Sequence, residues 1–494
     1  MPEEKPKDEL PEKPKEPKEP KEEVYRIEPE AAPVVTRHEV NLDGKPFAYT
    51  VTTGMLALRS PLGEVEAGIF FMAYTVESDT PRPLTFSFNG GPGSCSVWLH
   101  LGAVGPKRVV LQADGMGPKP PYRLEDNQET WLRHTDLVFI DPVGTGYSRA
   151  VKKEDEKKYW GLEGDVESVG QFIRTFLTKF NRWLSPLFIV GESYGTTRGA
   201  ALSSHLLQYG IALSGITLVS SILNFQTARF GKGNDLPFYL FLPSYTATAW
   251  YHKKLPADLQ KKPLIAVLRE VEAWARTDYW PALAEGSALS AAHQKRILSK
   301  LARYTGLNPQ YVDLSDLRIH IHRFCKELLR SEKRTVGRLD SRYKGIDGTH
   351  VSDMIEGDPS NAAIFPAYAS TMNDYVRRVL GYETDLPYYI FNPGDLWKLW
   401  DWGKAGEGSP DTSEALRKAL SNNPYMKVFV ASGYYDLATP YFATEYTLNH
   451  LGLDPSLREN ITSGYYEAGH MMYVHVDYLQ KLRRDVDAFY AAAL

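Results

Sequence analysis

The run Leu187-Phe188-Ile189-Val190-Gly191-Glu192-Ser193-Tyr194-Gly195 decides the reading of this chain. Its first four residues are apolar and suit a short strand buried on both faces. The small-residue stretch at 196–204, continued by Leu206 and Leu207 and stopped at Gly210, suits a helix. Between them lies a G-x-S-x-G turn. A serine on a tight strand-to-helix turn needs neighbours without side chains, so that strand and helix can approach and the hydroxyl can stand clear. The pattern alone is common, but in this strand-turn-helix setting it makes Ser193 a candidate nucleophile.

Working outward, similar apolar runs at 84–88, 137–140, 216–219 and 428–431 read as further buried strands. A helix is expected over 166–180, where Val166, Val169, Phe172, Ile173, Phe176, Leu177 and Phe180 recur at helical spacing. Strands alternating with helices predict an α/β fold whose mainly parallel sheet is covered on both faces. Residues 34–76 alternate and are rich in β-branched side chains, with Asp43-Gly44 marking a hairpin between Val40 and Val51, so antiparallel strands should open the fold. The long interval between the strands at 216–219 and 428–431 implies an insertion. Residues 224–371, with helical patterns near 264–275 and 288–304, read as a mainly helical cap over the sheet, an accessory interaction domain being the alternative. Residues 1–23 repeat Lys, Pro and Glu and predict a disordered tail. The expected organisation is therefore tail (1–23), first core segment (24–223), cap (224–371) and second core segment (372–494).

With 494 residues, 43% of them hydrophobic, the chain can bury a large core. Its net charge of −4, without a basic cluster interleaved with aromatics, argues against nucleic acid and against an anionic membrane surface as partners. No apolar run approaches the ~18 residues of a spanning helix, and the N-terminal residues lack the apolar core of a secretory signal. The compartment is left open, since export would require a native start other than Met1. Nothing in the sequence fixes an oligomeric state. Cys95 and Cys325 allow one long-range bridge or two reduced thiols, and Cys95, with no elbow around it, reads as a packed small residue. The pair His320 and His322, and the pair His470 and His475, have no further cluster to complete a ligand set, so neither metal nor cofactor is expected. Asn460-Ile461-Thr462 is a glycosylation acceptor only in a secreted protein.

A serine hydroxyl needs a base to take its proton, and the base needs a carboxylate to fix its tautomer. Asp436, just after the strand at 428–431, and His470, in a loop between a short Tyr-rich strand and a C-terminal helix, are the candidates. The developing oxyanion needs two N–H donors. One is expected from Tyr194 in the elbow and the other from Gly91, in the loop Asn89-Gly90-Gly91-Pro92-Gly93 that follows the strand at 84–88. That loop lacks the Gly-Lys-Ser/Thr of a phosphate cradle.

The chain order Ser, Asp, His is that of α/β-hydrolases. Four motifs, Asn89-Gly90-Gly91-Pro92-Gly93-Ser94, the loop from Asp141 through Gly144-Thr145-Gly146-Tyr147-Ser148, Gly191-Glu192-Ser193-Tyr194-Gly195 and Ala468-Gly469-His470-Met471, together resemble the serine carboxypeptidases, the carboxypeptidase C and cathepsin A family. The resemblance runs from residue 85 to the end. It implies an α/β-hydrolase fold, with a mixed, mostly parallel central sheet and an inserted helical cap. It also implies an exopeptidase that needs no cofactor and removes C-terminal residues from peptides through an acyl-enzyme. Ser193, Asp436 and His470 are its implied triad, Gly91 and Tyr194 its oxyanion hole. Recognition of the substrate's free terminal carboxylate falls on Asn89 and Glu192. An ionised Glu192 would repel that carboxylate whereas a protonated one can donate to it, so acidic pH should favour binding.

The sequence departs from the family at one informative place. A second glutamate usually stands two residues before a Gly-Pro pair; here the pair is Gly105-Pro106 and the matching residue is Ala103. Part of the network around the carboxylate site is therefore absent or rebuilt, which keeps an esterase or acyltransferase on the same scaffold as the alternative. The family's disulfide framework is also missing, as in a simplified, bacterial-type member. A catalytically inactive binding protein would have lost a triad residue, and none is lost.

Overall fold

Asp43 and Gly44 both take positive φ, 52° and 77°, as a two-residue hairpin turn with the right twist demands. They join β1 (Val34–Leu42) to β2 (Lys45–Arg59), with Leu42 opposite Lys45. The structure, a computed structural model, describes residues 24–394, 396–403 and 409–494; the tail expected at 1–23 lies outside them.

After this hairpin come β3 (Val65–Thr75), β4 (Leu84–Phe88), β5 (Asp136–Ile140), the short β6 (Arg149–Ala150), β7 (Leu187–Glu192), β8 (Gly215–Val219), β9 (Lys427–Gly433) and β10 (Ile461–Tyr466). Among the described residues they form one ten-stranded sheet in the order β1-β2-β3-β5-β4-β7-β8-β9-β10, with β6 pairing on β3. The first three strands are antiparallel and β5 joins β3 antiparallel, whereas every pairing from β5 to β10 is parallel. The ends of β7, β8, β9 and β10 therefore point the same way, which is what brings the loops after them to one rim.

The principal helices are α1 (Leu162–Lys179), α2 (Tyr194–Leu207), α3 (Leu236–Tyr251), α4 (Leu264–Trp274), α5 (Ala291–Thr305), α6 (Pro359–Asp374), α7 (Ser413–Asn422), α8 (Tyr441–Asn449) and α9 (Val476–Ala493). Side chains alternate across the sheet. Ile69, Phe71, Phe86, Ile216 and Leu218 pack with Val169, Phe172 and Phe176 of α1. Phe70, Met72, Phe188 and Phe429 pack on the other face with Phe489 and Tyr490 of α9. All residues of β4, β5, β7 and β8 are buried, so these strands need apolar side chains on both faces and read as continuous apolar runs. Removing one side chain such as Phe86 from water stabilises the fold by roughly 1.5–3 kcal/mol.

Between β8 and β9 lies a mainly helical insertion with its own core, in which Leu240, Val267, Val271, Ile297, Leu301 and Phe324 meet. Local sequence sets its helices: Ser290 caps α5 by accepting from the His293 N–H at 3.3 Å, and Gly306, with φ 68°, ends it. The boundary expected at 371 falls inside α6, whose Ile364, Tyr368 and Met372 belong to the core that includes Phe70 and Met72 of the sheet and not to the insertion's own core. A shift in composition marks the surface character of a segment and does not reveal which core its buried face joins. Cys95 and Cys325 are both free and buried, in separate cores. Among the described residues no helix is long and apolar enough to cross a membrane. A mixed, mostly parallel sheet with helices on both faces, a tight strand-to-helix turn after β7 and a helical insertion after β8 is the α/β-hydrolase fold.

Candidate active site

Ser193 sits at φ 59° and ψ −127°, a conformation that a non-glycine residue adopts only when its surroundings impose it. Two glycines make it attainable. A Cβ on Gly191 would lie 2.2 Å from the Gly195 carbonyl oxygen, and one on Gly90 would lie 2.4 Å from the Tyr194 nitrogen. Strand, helix and the 89–93 loop thus close to backbone contact around the serine. The Ser193 N–H donates to the Val219 carbonyl at 3.0 Å, which ties the turn to the end of β8. Tyr194 is the first residue of α2, so its N–H has no acceptor within the helix. Gly91, with φ 106°, follows the glycine that touches it.

Asp436 is fully buried. Its Oδ1 accepts from the N–H groups of Ala438 (2.7 Å) and Thr439 (3.0 Å), and its Oδ2 accepts from the Thr439 hydroxyl at 2.7 Å. The remaining approach to Oδ2 is taken by Nδ1 of His470, 2.7 Å away. A carboxylate can only accept, so Nδ1 carries the proton and Nε2 of the neutral ring is left able to accept one. Burial pushes the His470 imidazole toward its neutral form, but the adjacent Asp436 carboxylate, helped by Glu192, outweighs this and holds its pKa above the ordinary value.

The loop that carries His470 is held from two sides. The Ser220 hydroxyl donates to the His470 carbonyl at 2.6 Å, so neighbouring residues at the end of β8 hold Ser193 and His470. From the insertion, a strap over 338–342 reaches the loops that carry Asp436 and His470. The Leu339 carbonyl accepts from the His470 N–H (2.7 Å), the Arg338 carbonyl from the Leu437 N–H (2.9 Å), and Asp340 Oδ2 from the Gly469 N–H (3.2 Å). Arg342 makes hydrogen bonds of 2.9 and 2.6 Å to Asp340 and donates to the Glu467 carbonyl at 2.8 Å.

Glu192 precedes the serine and is 4% exposed. Asn89 Nδ2 donates to its Oε1 at 2.9 Å and the Tyr473 hydroxyl to its Oε2 at 2.5 Å. The Asn89 Oδ1 accepts from the Leu99 N–H at 3.0 Å, so the amide presents its NH2 to Glu192. Burial lifts the Glu192 carboxyl to about 7, against the nearby His470 and the two donors, which favour its ionised form. Beneath this site the buried pair Arg198–Asp165 (2.7 Å) supports the loop, Arg198 donating to the Asn89 carbonyl at 2.8 Å.

Of the residues singled out in the sequence, Asp436 meets His470 and Asn89 meets Glu192. Gly90, the neighbour of Gly91, lies against the Tyr194 nitrogen, and Ser193 is tied by its main chain to the end of β8, with no hydrogen bond among the described residues joining its hydroxyl to His470. Ala103 is buried, and Asn127 Nδ2 donates to its carbonyl at 2.8 Å. Sequence reading missed Thr439, Tyr473, the strap and a group of aromatics in which the Tyr194 ring meets Trp400 (5.2 Å) and Trp402 (5.9 Å). Thr439 and Tyr473 each stand three residues after a candidate, a spacing at which a tight turn folds a side chain back, and that spacing could have found them. The strap has no such signal.

A family model described as serine carboxypeptidase matches residues 52–474. Serine carboxypeptidase-like 8 of Arabidopsis thaliana is 29% identical over 170 residues, 33% of this chain and 36% of that protein. Serine carboxypeptidase S10 family member 1 of Dictyostelium discoideum is 28% identical over 156 residues, 31% of this chain and 35% of that protein. The chain thus spans about a third of the length of these curated relatives. Among solved structures, VinJ aligns over 90% of this chain and 99% of its own, at 13% identity and a TM-score of 0.38. With the family model covering most of its length, the chain belongs to the serine carboxypeptidase family.

Proposed function

We propose that the protein is a serine carboxypeptidase that removes C-terminal residues from peptides through an acyl-enzyme, with acidic conditions favouring substrate binding. The observation that carries the reading is Glu192, a buried carboxyl adjacent to Ser193 and paired with the Asn89 amide. Hydrolysis as such has no use for an ionisable acid there, since burying one is costly. Recognition of a terminal carboxylate does.

In this mechanism the terminal carboxylate lies against Asn89 and protonated Glu192, which sets the last peptide bond over Ser193. Nε2 of His470 takes the serine proton as Oγ attacks the carbonyl carbon, and the N–H groups of Gly91 and Tyr194 receive the oxyanion. The imidazolium, held by Asp436, returns its proton to the leaving amine, and the C-terminal amino acid departs. Water, deprotonated by the same imidazole, then hydrolyses the acyl ester. The two protonation states required are mutually compatible: a proton on Glu192 removes a negative charge that favours the imidazolium, so the acid form of one goes with the base form of the other.

The test is a pair of peptides identical except that one ends in a free carboxylate and its twin in an amide, followed by mass spectrometry. Stepwise shortening of the free peptide with the twin intact, and loss of both reactions in Ser193→Ala, is expected. Equal cleavage of both would remove carboxylate recognition. Turnover of esters with neither peptide shortened would transfer the site to the esterase or acyltransferase reading.

A further inference from the structure

Position 103 offers no carboxyl to Glu192, yet neither oxygen of Glu192 lacks a partner. The second is met by a phenol. Tyr473 is fully buried, in the short turn that follows His470, and its hydroxyl donates to Glu192 Oε2 at 2.5 Å. Gly102 makes the room: a Cβ there would stand 2.6 Å from Cε2 of Tyr473 and 2.7 Å from the Tyr368 hydroxyl. A bare backbone at 102 thus leaves room for a large side chain at 473 that reaches the Glu192 carboxyl.

We propose that Tyr473 is the positioning residue for Glu192, its hydroxyl taking the part that a second carboxyl at 103 would play, so that the terminal-carboxylate site of this chain binds and releases its proton at one acid rather than at a coupled pair. The proposal rests on the carboxypeptidase reading and adds to it how that site is tuned. Two carboxyls in contact share a proton and titrate as a unit, one of them held neutral by the other's charge. A phenol behaves otherwise. Burial and the Glu192 charge push the Tyr473 hydroxyl well above its ordinary value, so it stays a neutral donor. Its hydrogen bond favours ionised Glu192 and works against burial, which favours the protonated form. The other groups that face Glu192 are Asn89 from the loop after β4, Asp436 and His470 from the loops after β9 and β10, and Tyr368 from α6. Asp436 is committed to His470 and Thr439.

Tyr473→Phe keeps the ring that packs against Gly102 and removes only the donor. A hydrogen bond to a charged group is worth about 1.5–3 kcal/mol, so its loss should move the basic limb of kcat/KM for free-terminus peptides upward by about 1–2 pH units. Turnover of a small neutral ester, which has no carboxylate to place, should show no such upward move of a basic limb. Replacing Tyr473 with 2,3-difluorotyrosine, a more acidic phenol and stronger donor of nearly the same shape, should move the peptide limb downward. If the Phe protein does not fold, the fluorinated protein decides by that opposite sign. An unmoved limb in the folded Phe variant, or in the fluorinated protein, would overturn the proposal. Failure of the parent reading looks different: the unsubstituted enzyme would then cleave the amidated twin as readily as the free peptide.

Discussion

The N–H of His470 donates to the main-chain carbonyl of Leu339 at 2.7 Å. One residue belongs to the loop after β10 and the other to the insertion between β8 and β9. The insertion therefore takes part in holding the loop that carries His470. Through Arg338, Leu339 and Asp340 it holds the Asp436 and His470 loops in register with each other, by three hydrogen bonds from main-chain N–H groups. Asp358 and Ser360, at the start of α6, hold the strap in turn by accepting from the N–H groups of Leu339 (2.9 Å) and Asp340 (3.1 Å). An imidazole placed in this way has its position set by residues far from it in sequence.

Asp340→Asn tests that coupling. Asp340 and Arg342 form a pair with side chains 7% and 9% exposed, so neutralising one leaves the other buried without a counter-charge. Breaking such a pair costs about 3–5 kcal/mol, and a retained amide oxygen should place this variant near the lower figure. Denaturant titration should show that loss of stability. Kinetics on the folded protein should show a reduced kcat with little change in KM, because the imidazole loop loosens while the carboxylate site is untouched. A destabilised variant with unaltered kcat would make the strap purely structural.

Thr439→Val removes the hydroxyl that donates to Asp436 Oδ2 while keeping the shape of the side chain. A buried carboxylate deprived of one donor is destabilised by about 1–3 kcal/mol. Two backbone N–H groups and His470 remain, so the fold should persist. The expected outcome is a kcat about tenfold lower, with the larger part of the effect in acylation, measured by burst kinetics on an activated ester. Unchanged kcat would mean that the backbone donors alone orient Asp436.

Much of this site was legible because its parts are local. The elbow declares itself through a strand, a helix and the glycines between them, and the Asp43-Gly44 hairpin through a turn that only a few residue types can make. Asp436 and His470 were legible through their order after late strands. What stayed hidden depends on approach between distant segments. Nothing in the sequence around Leu339 says that its carbonyl meets residue 470, because a main-chain acceptor is the same in every residue. The path of α6 across the expected boundary was hidden for a related reason: its buried face carries Ile364, Tyr368 and Met372, which would suit either core. Tyr473 lay in between, with a spacing that hinted at it and a partner that did not.

Gly90→Ala is expected to abolish activity without touching a reacting group. The added Cβ would lie 2.4 Å from the Tyr194 nitrogen and 2.7 Å from both the Glu192 oxygen and the Gly195 nitrogen. These are backbone atoms, which cannot swing aside as the end of a side chain can. The glycine loop must move away from the elbow, carrying with it the Gly91 N–H proposed for the oxyanion, and loss of one such donor alone costs about 10²–10³-fold in kcat. Labelling of Ser193 by a fluorophosphonate reports whether the serine survives as a nucleophile. Wild-type kcat in this variant would mean that the loop and elbow are not packed as described.

Glu192→Gln separates the two titrations that the mechanism combines. Burial raises the Glu192 carboxyl from its ordinary 4.5 to about 7, so the folded protein holds this proton more tightly than the unfolded chain does. The sign for stability follows: the contribution is complete below the ordinary value and is lost as pH rises through about 7. On the proposed reading, substrate binding should follow the same proton. In the unsubstituted enzyme kcat/KM for free-terminus peptides should fall about tenfold per pH unit above the Glu192 midpoint, and an acid limb belonging to His470 should bound it below. The glutamine is neutral at every pH, so the basic limb should vanish while activity at mildly acidic pH persists. Its lack of charge has a second consequence. Ionised Glu192 helps to hold the His470 imidazolium, so the acid limb should move to lower pH in the variant. One substitution therefore displaces both limbs for different reasons, and a profile retaining its basic limb would take Glu192 out of carboxylate recognition.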